Sequence, residues 1–164
     1  MRKFEKISFS EFQKDVKDDL SLYESYNLPK RKTMKSAGYD FESLFDFILK
    51  PGEIKKIPLG IKVQMDDGDV FLLYVRSSMG FKYNIRLTNQ VGIVDQDFYN
   101  NIENEGHMYI SLQNEGENDW IVHKKDSICQ GIFMKYYTVE DEEEISSIRK
   151  GGLGSTSKGE NENE

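Results

Sequence analysis

The apolar residues of this chain change their period once, and that change limits the fold more than any other feature. Near the N-terminus Phe9, Phe12, Val16 and Leu20 recur at three- and four-residue steps, and Ser8 with Glu11 has capping-box form. This spacing predicts a short amphipathic helix over about residues 10–20. From Ala37 onward the period is two. The runs 54–65, 70–76, 83–94, 107–114 and 119–139 are strand-like, and turn sequences at 66–69, 89–90 and 115–118 punctuate them. Many short strands with regular turns predict a closed all-β body, either a barrel or a jelly roll.

A length of 164 residues fits one domain with a real core. We assign residues 1–139 to the barrel domain, with its N-terminal helix and an insert near 100–107. Residues 140–164 form an acidic linker and a glycine-rich C-terminal arm, expected to be flexible. The net charge is −7, and eight carboxylates beyond residue 139 face only Arg149, Lys150 and Lys158, so the body is nearly neutral. Tracking along nucleic acid needs clustered Lys and Arg, so no nucleic-acid partner is expected. The lone Cys129 has apolar neighbours and cannot close an internal disulfide, which points to a buried, inert thiol in a reducing compartment. The N-terminus MRKFEKISFSEF has no apolar core of signal-peptide length, and FLLYV is too short to span a bilayer, so a soluble, cytoplasmic protein without membrane contact is expected. His107 and His123 have no Cys or His partners at ligand spacing, so no structural zinc site is expected.

Residues 92–100 read GIVDQDFYN, with two carboxylates between an apolar run and an aromatic pair. Alternation would put Ile93, Asp95 and Asp97 on one face and Val94, Gln96 and Phe98 on the other. Two readings stand open on these residues alone: a strand ending in a solvated acidic turn, or a carboxylate held where it can take a proton. The tail strip GGLGSTSKG lacks the GK[ST] order of a P-loop. Its backbone N–H groups with Ser155 and Thr156 could still wrap phosphate oxygens, or the strip could be a plain disordered tail.

Five stretches in order carry more than any one of them. SAGYDF (36–41), RSSMG (76–80), the stretch from Asn89 through GIVDQDFYN, DSICQGIF (126–133) and RKGGLGST (149–156) resemble the five motifs of the trimeric dUTPases, and LPKRKTMKSAGYD resembles the start of that fold. The resemblance runs from about Leu28 to Thr156. It implies an all-β jelly-roll barrel of the dUTPase type, a homotrimer with each site assembled from all three chains, and dUTP diphosphatase activity that limits uracil in DNA and supplies dUMP.

Residue by residue, the resemblance implies that Asp95 is the base activating water for in-line attack on the α-phosphorus, and that Asp40 holds water molecules of a Mg²⁺ ion. Arg76, Ser77, Ser78, Gly80 and Gln130 would hold phosphate oxygens. Asn89, on the hairpin before Gly92, would help read uracil, and Phe98 would lie under the deoxyribose where relatives often carry Tyr. Arg149, Ser155 and Thr156 would close over the γ-phosphate, Gly154 would join them in binding substrate, and Leu153 stands where the family usually has Phe or His to stack on the base. A positioned carboxylate base contributes about 10² to 10⁴ in rate, and the rest must come from positioning and charge. Lys125, Ser127 and Asn100 also depart from the family pattern. The largest departure is the extra chain around NNIENEGH, which with the extra N-terminal helix resembles phage-encoded dUTPases, some of which bind repressor proteins. Two alternatives therefore stay open: a regulatory protein that binds a repressor through its insert, and a dCTP deaminase of the same fold.

Overall fold

The structure, a computed structural model, describes residues 1–143, Ile145 and Gly151. Its body is all-β with short helices added. Eleven strands among the described residues form four small antiparallel sheets: β1 (Lys3–Lys6) pairs β5 (Ile61–Gln64), and β3 (Phe47–Leu49) pairs β10 (Trp120–Val122). A four-stranded sheet runs in the order β2 (Tyr39–Glu42), β11 (Ser127–Lys135), β6 (Asp69–Tyr74), β8 (Gly92–Val94), and a three-stranded one in the order β4 (Ile54–Pro58), β9 (Tyr109–Asn114), β7 (Ile85–Leu87). Inward alternation is strict in β6 and β9, where Phe71, Leu73, Ile110 and Leu112 are buried. The run 54–65 is two strands, because the chain breaks at Gly60, whose φ of 69° a side chain rarely adopts. The run 83–94 likewise splits at the turn around Asn89 and Gln90 into β7 and β8.

The N-terminal helix departs from expectation. The helical pattern at residues 10–20 is not one helix: α1 spans Phe9–Asp15 and α2 spans Leu20–Ser25. Asp19 accepts a bond from Leu22 N–H and starts the second helix, so a side-chain acceptor inside the apolar pattern re-nucleates the chain in a new direction. Ser8 caps α1 as expected, accepting from the Glu11 N–H at 3.2 Å. The reciprocal half of the capping box is made by another residue. Glu11 pairs with Lys14, and the Ser8 N–H donates to Glu105 Oε2 at 2.9 Å, from the insert.

Strand β1 was not legible as a strand. Its Phe4 ring lies 5.2–5.8 Å from Tyr39, Phe41, Phe71 and Phe133. Next to it, β6 begins with an inward carboxylate, Asp69, which Arg2 Nε meets at 2.5 Å and Lys135 Nζ at 2.8 Å. Those cations pull the Asp69 pKa down to about 2. Cys129 is fully buried, and burial pushes its thiol pKa up. Among the described residues no helix is long and apolar enough to cross a membrane.

Candidate active site

Strand register builds the first cluster. Gln130 on β11 stands opposite Asp40 on β2 and opposite Tyr74 on β6, which puts Arg76 just past the end of β6 at the same corner. Arg76 Nε lies 3.4 Å from Asp40 Oδ1, and the Gln130 amide donates to the Val75 carbonyl at 3.2 Å. Asp40 is buried, with the Ser127 hydroxyl 3.4 Å from its other oxygen. The concave corner is lined by Lys32, Ser36, Gly38, Asp40, Arg76, Ser77 and Gln130. Gly38 is there because a Cβ would sit 2.4 Å from the Gln130 side-chain oxygen.

RSSMG opens α3 (Ser77–Tyr83), with Arg76 at its N-cap and no side-chain cap. The Met79 and Gly80 N–H groups both donate to the Arg76 carbonyl, at 2.9 and 3.4 Å, and Ser77 at the start of the helix lines the corner. Lys32 and Arg76 add positive charge. Ser78 and Gly80 lie on α3 but do not line the corner.

The second cluster forms around GIVDQDFYN. Strand β8 ends at Val94, and Asp95 becomes the N-cap of a 3-10 turn, Gln96–Phe98, with its carbonyl accepting from the Phe98 N–H at 3.2 Å. Alternation holds only to the end of β8, where Ile93 is exposed and Val94 buried; the 3-10 turn then brings Phe98 to the same pocket as Asp95, although alternation put them on opposite faces. Asn89, Gly92, Asp95 and Phe98 line one pocket together with His107 and Tyr109. Gly92 leaves room where a Cβ would press on the Leu73 Cβ at 3.0 Å.

The insert is a built part of this pocket's surroundings. Buried Asn101 accepts from the Glu103 and Asn104 N–H groups and donates to the Phe98 carbonyl at 2.8 Å. Glu105 receives the Ser8 N–H and faces Lys62 Nζ at 3.4 Å. Gly106, with φ of 82°, lets the chain return over Phe98: a Cβ there would meet the Phe98 carbonyl oxygen at 2.6 Å. His107, fully buried, accepts from the Gly60 N–H on Nε2 at 3.0 Å. Burial holds its imidazole neutral, with a pKa pushed down to about 4.

Asp40, Arg76, Ser77 and Gln130 are thus brought together in one place, and Asn89, Gly92, Asp95 and Phe98 in another. The two cavities share no lining residue. Arg149, Leu153, Gly154, Ser155 and Thr156 lie outside the described residues. Sequence reasoning missed Lys32, Ser36, His107 and Tyr109. The first two were within the quoted lead-in, whose Lys-rich composition was a usable signal. The rings of His107 and Tyr109 carried none, since they reach the pocket only through the fold.

A barrel with a cationic, carboxylate-bearing corner and a half-apolar pocket rimmed by a second carboxylate belongs, by its chemistry, to the proteins that handle phosphorylated small molecules. Comparison with known proteins narrows this class. The dUTPase family model matches residues 24–159. A deoxyuridine 5'-triphosphate nucleotidohydrolase of Lactococcus lactis is 43% identical over 131 residues, covering 79% of this chain and 87% of the relative. The dUTPase of Streptococcus mutans, a crystal structure, superposes with a TM-score of 0.67 at 33% identity, over 84% of this chain and 98% of that one. A Staphylococcus bacteriophage 80alpha dUTPase shares the fold, with a TM-score of 0.65 at 18% identity over 90% and 97% of the two chains. The chain belongs to the dUTPase family.

Proposed function

We propose that this protein hydrolyses dUTP to dUMP and pyrophosphate, acting as a dUTP diphosphatase. The observation that carries the reading is Asp95 on the rim of a pocket that Asn89, Gly92 and Phe98 also line, in a chain of this family. Asp95 takes the proton from the attacking water. Phe98 gives the deoxyribose an apolar face with no room for a 2′-hydroxyl, and Asn89 reads the uracil edge. A site shaped for O4 and N3–H leaves unpaired groups against cytosine, which rejects dCTP by up to roughly 10⁴ to 10⁵.

The donor set of the corner fits Mg²⁺. One buried carboxylate, Asp40, beside groups suited to phosphate oxygens is the sparse protein contribution this cation usually takes, with phosphates and water completing the shell. When bound, the ion would offset triphosphate charge. Arg76, Ser77, Gln130 and Lys32, which line the corner, orient the phosphate chain, with Ser78 and Gly80 following on α3; of the arm residues, Arg149, Gly154, Ser155 and Thr156 serve the phosphates and Leu153 the base.

In-line attack needs the base beside the α-phosphorus, yet the two clusters line separate cavities of one chain. This supports a homotrimer in which one copy's corner faces another's pocket. Exposed Ile93, Phe81 and Tyr137 offer apolar surface for such contacts. A cytoplasmic location is in keeping with the buried, reduced Cys129.

Pyrophosphate release measured against dUTP, dCTP, dTTP and UTP, with Mg²⁺ and with excess chelator, tests the reading. Turnover of dUTP alone, abolished by chelator, is expected. Preferred release of ammonia from dCTP would favour the deaminase alternative, and full activity in chelator would remove Mg²⁺ from the account.

A second reading, regulation through a repressor-type partner, draws on Ile102, an 87% exposed apolar side chain at the tip of the packed insert. The 80alpha dUTPase structure is described as that of a phage dUTPase that controls transfer of virulence genes by a G protein-like mechanism. Ile102→Asp should spare dUTP turnover and weaken capture of such a repressor at least tenfold; equal capture would remove the insert from that role.

A further inference from the structure

Helix α1 precedes the first residue matched by the family model, yet it touches a residue that lines the nucleoside pocket. Asp15, at the end of α1, accepts a hydrogen bond from the Tyr109 hydroxyl on Oδ2. The same oxygen faces His107 Nδ1 at 3.7 Å. Tyr109 is therefore held on three sides: by Asp15 at its hydroxyl, by the His107 ring with centroids 4.2 Å apart, and by Lys56 Nζ 4.0 Å from its ring centroid. Both rings belong to residues lining the pocket that Asp95 and Phe98 share.

Glu11, Asp15 and His107 offer ligand-type atoms within 4.8 Å of one another, the spacing of a metal site. Their hydrogen bonds argue otherwise. The Nε2 lone pair of His107 is engaged by the Gly60 N–H, so a neutral ring carries its proton on Nδ1, and a protonated nitrogen cannot ligate. Glu11 holds Lys14 Nζ at 2.5 Å, and Asp15 Oδ2 already holds Tyr109. The cluster is a brace rather than a ligand set: Asp15 faces two donors, one bonded and one just beyond hydrogen-bond reach.

We infer that Asp15 is a positioning residue for the nucleoside, acting through Tyr109 and His107 to fix the pocket wall before substrate arrives. The inference rests on the dUTP reading. An ordered wall spares the substrate the cost of ordering a large ring, and that saving applies equally to ground state and transition state. Its loss therefore raises KM and leaves kcat in place.

The full-length protein is assayed as parent, Asp15→Ala, Asp15→Asn and Tyr109→Phe, with dUTP kinetics and dUMP binding by calorimetry. Asp15→Ala should raise KM about three- to tenfold with kcat within twofold, and weaken dUMP by the same factor, while pyrophosphate inhibition stays at parental strength. Asp15→Asn, which keeps an acceptor for the Tyr109 hydroxyl, should recover most of the loss. A fall in kcat at constant KM, or no change in either, would overturn the inference. If Asp15→Ala does not fold, Tyr109→Phe decides: it keeps the ring and removes only the hydroxyl, so a parental KM and dUMP affinity in that variant would overturn the brace. A parent that neither turns over dUTP nor binds dUMP would fail the dUTP reading itself, and the inference with it.

Discussion

The phosphate corner and the nucleoside pocket are built by different rules. At the corner, Asp40, Gln130 and Arg76 meet because β2, β11 and β6 are neighbours in one sheet, and backbone register alone sets their spacing. At the pocket, the braces are side-chain contacts between elements that share no sheet. Asp15 reaches Tyr109 across 94 positions, and Ser8 reaches Glu105 across 97. Register-built sites tolerate changes outside the sheet and are sensitive to bulk within it. Tertiary-built sites depend on every segment that braces them.

The largest expected effect separates chemistry from both kinds of scaffolding. Asp95→Asn should lose about two orders of magnitude or more in kcat while keeping the fold and dUTP affinity, since only the proton acceptor is removed. Near-parental turnover would mean that Asp95 is not the base.

Next comes acid sensitivity, which should belong to the pocket. His107 has a folded pKa of about 4 against an ordinary 6.5, so the unfolded chain binds the extra proton between these values. Stability is then whole above pH 6.5 and falls by about 3 kcal/mol as pH drops to about 4. Denaturant unfolding of parent and His107→Gln across that window checks this: the variant should start less stable, and the gap should shrink on acidification. A constant gap would mean that His107 takes its proton in the folded state.

The smallest effect tests the corner. Gly38→Val should push the Gln130 side chain aside and lower kcat/KM for dUTP about tenfold, because a misplaced phosphate-holding amide weakens transition-state contacts. Unchanged kcat/KM would show that Gln130 does not hold the phosphate chain. A matching loss of stability would make the corner as dependent on packing as the pocket is.

Much of the corner could be read from the sequence, because its residues lie in short motifs on strands whose alternation is a local property. The same holds for the start of α1 at Ser8, the turn at Asn89 and Gln90, and the buried Cys129. The split of the predicted helix was less legible, since Asp19 as a cap competes with an apolar pattern that runs through it. The RSSMG helix was missed for a related reason: seven residues with a central glycine have no helical signature of their own.

Local pattern was enough for the strands beyond Ala37 and their inward faces, because side chains alternate along a backbone of period two. It took the folded chain to show that Glu105 completes the cap of α1, that Asn101 folds the insert onto Phe98, and that Asp15, His107 and Tyr109 stand behind one pocket wall. Those contacts join segments whose proximity depends on how the sheets close around the core, and no local pattern encodes that distance.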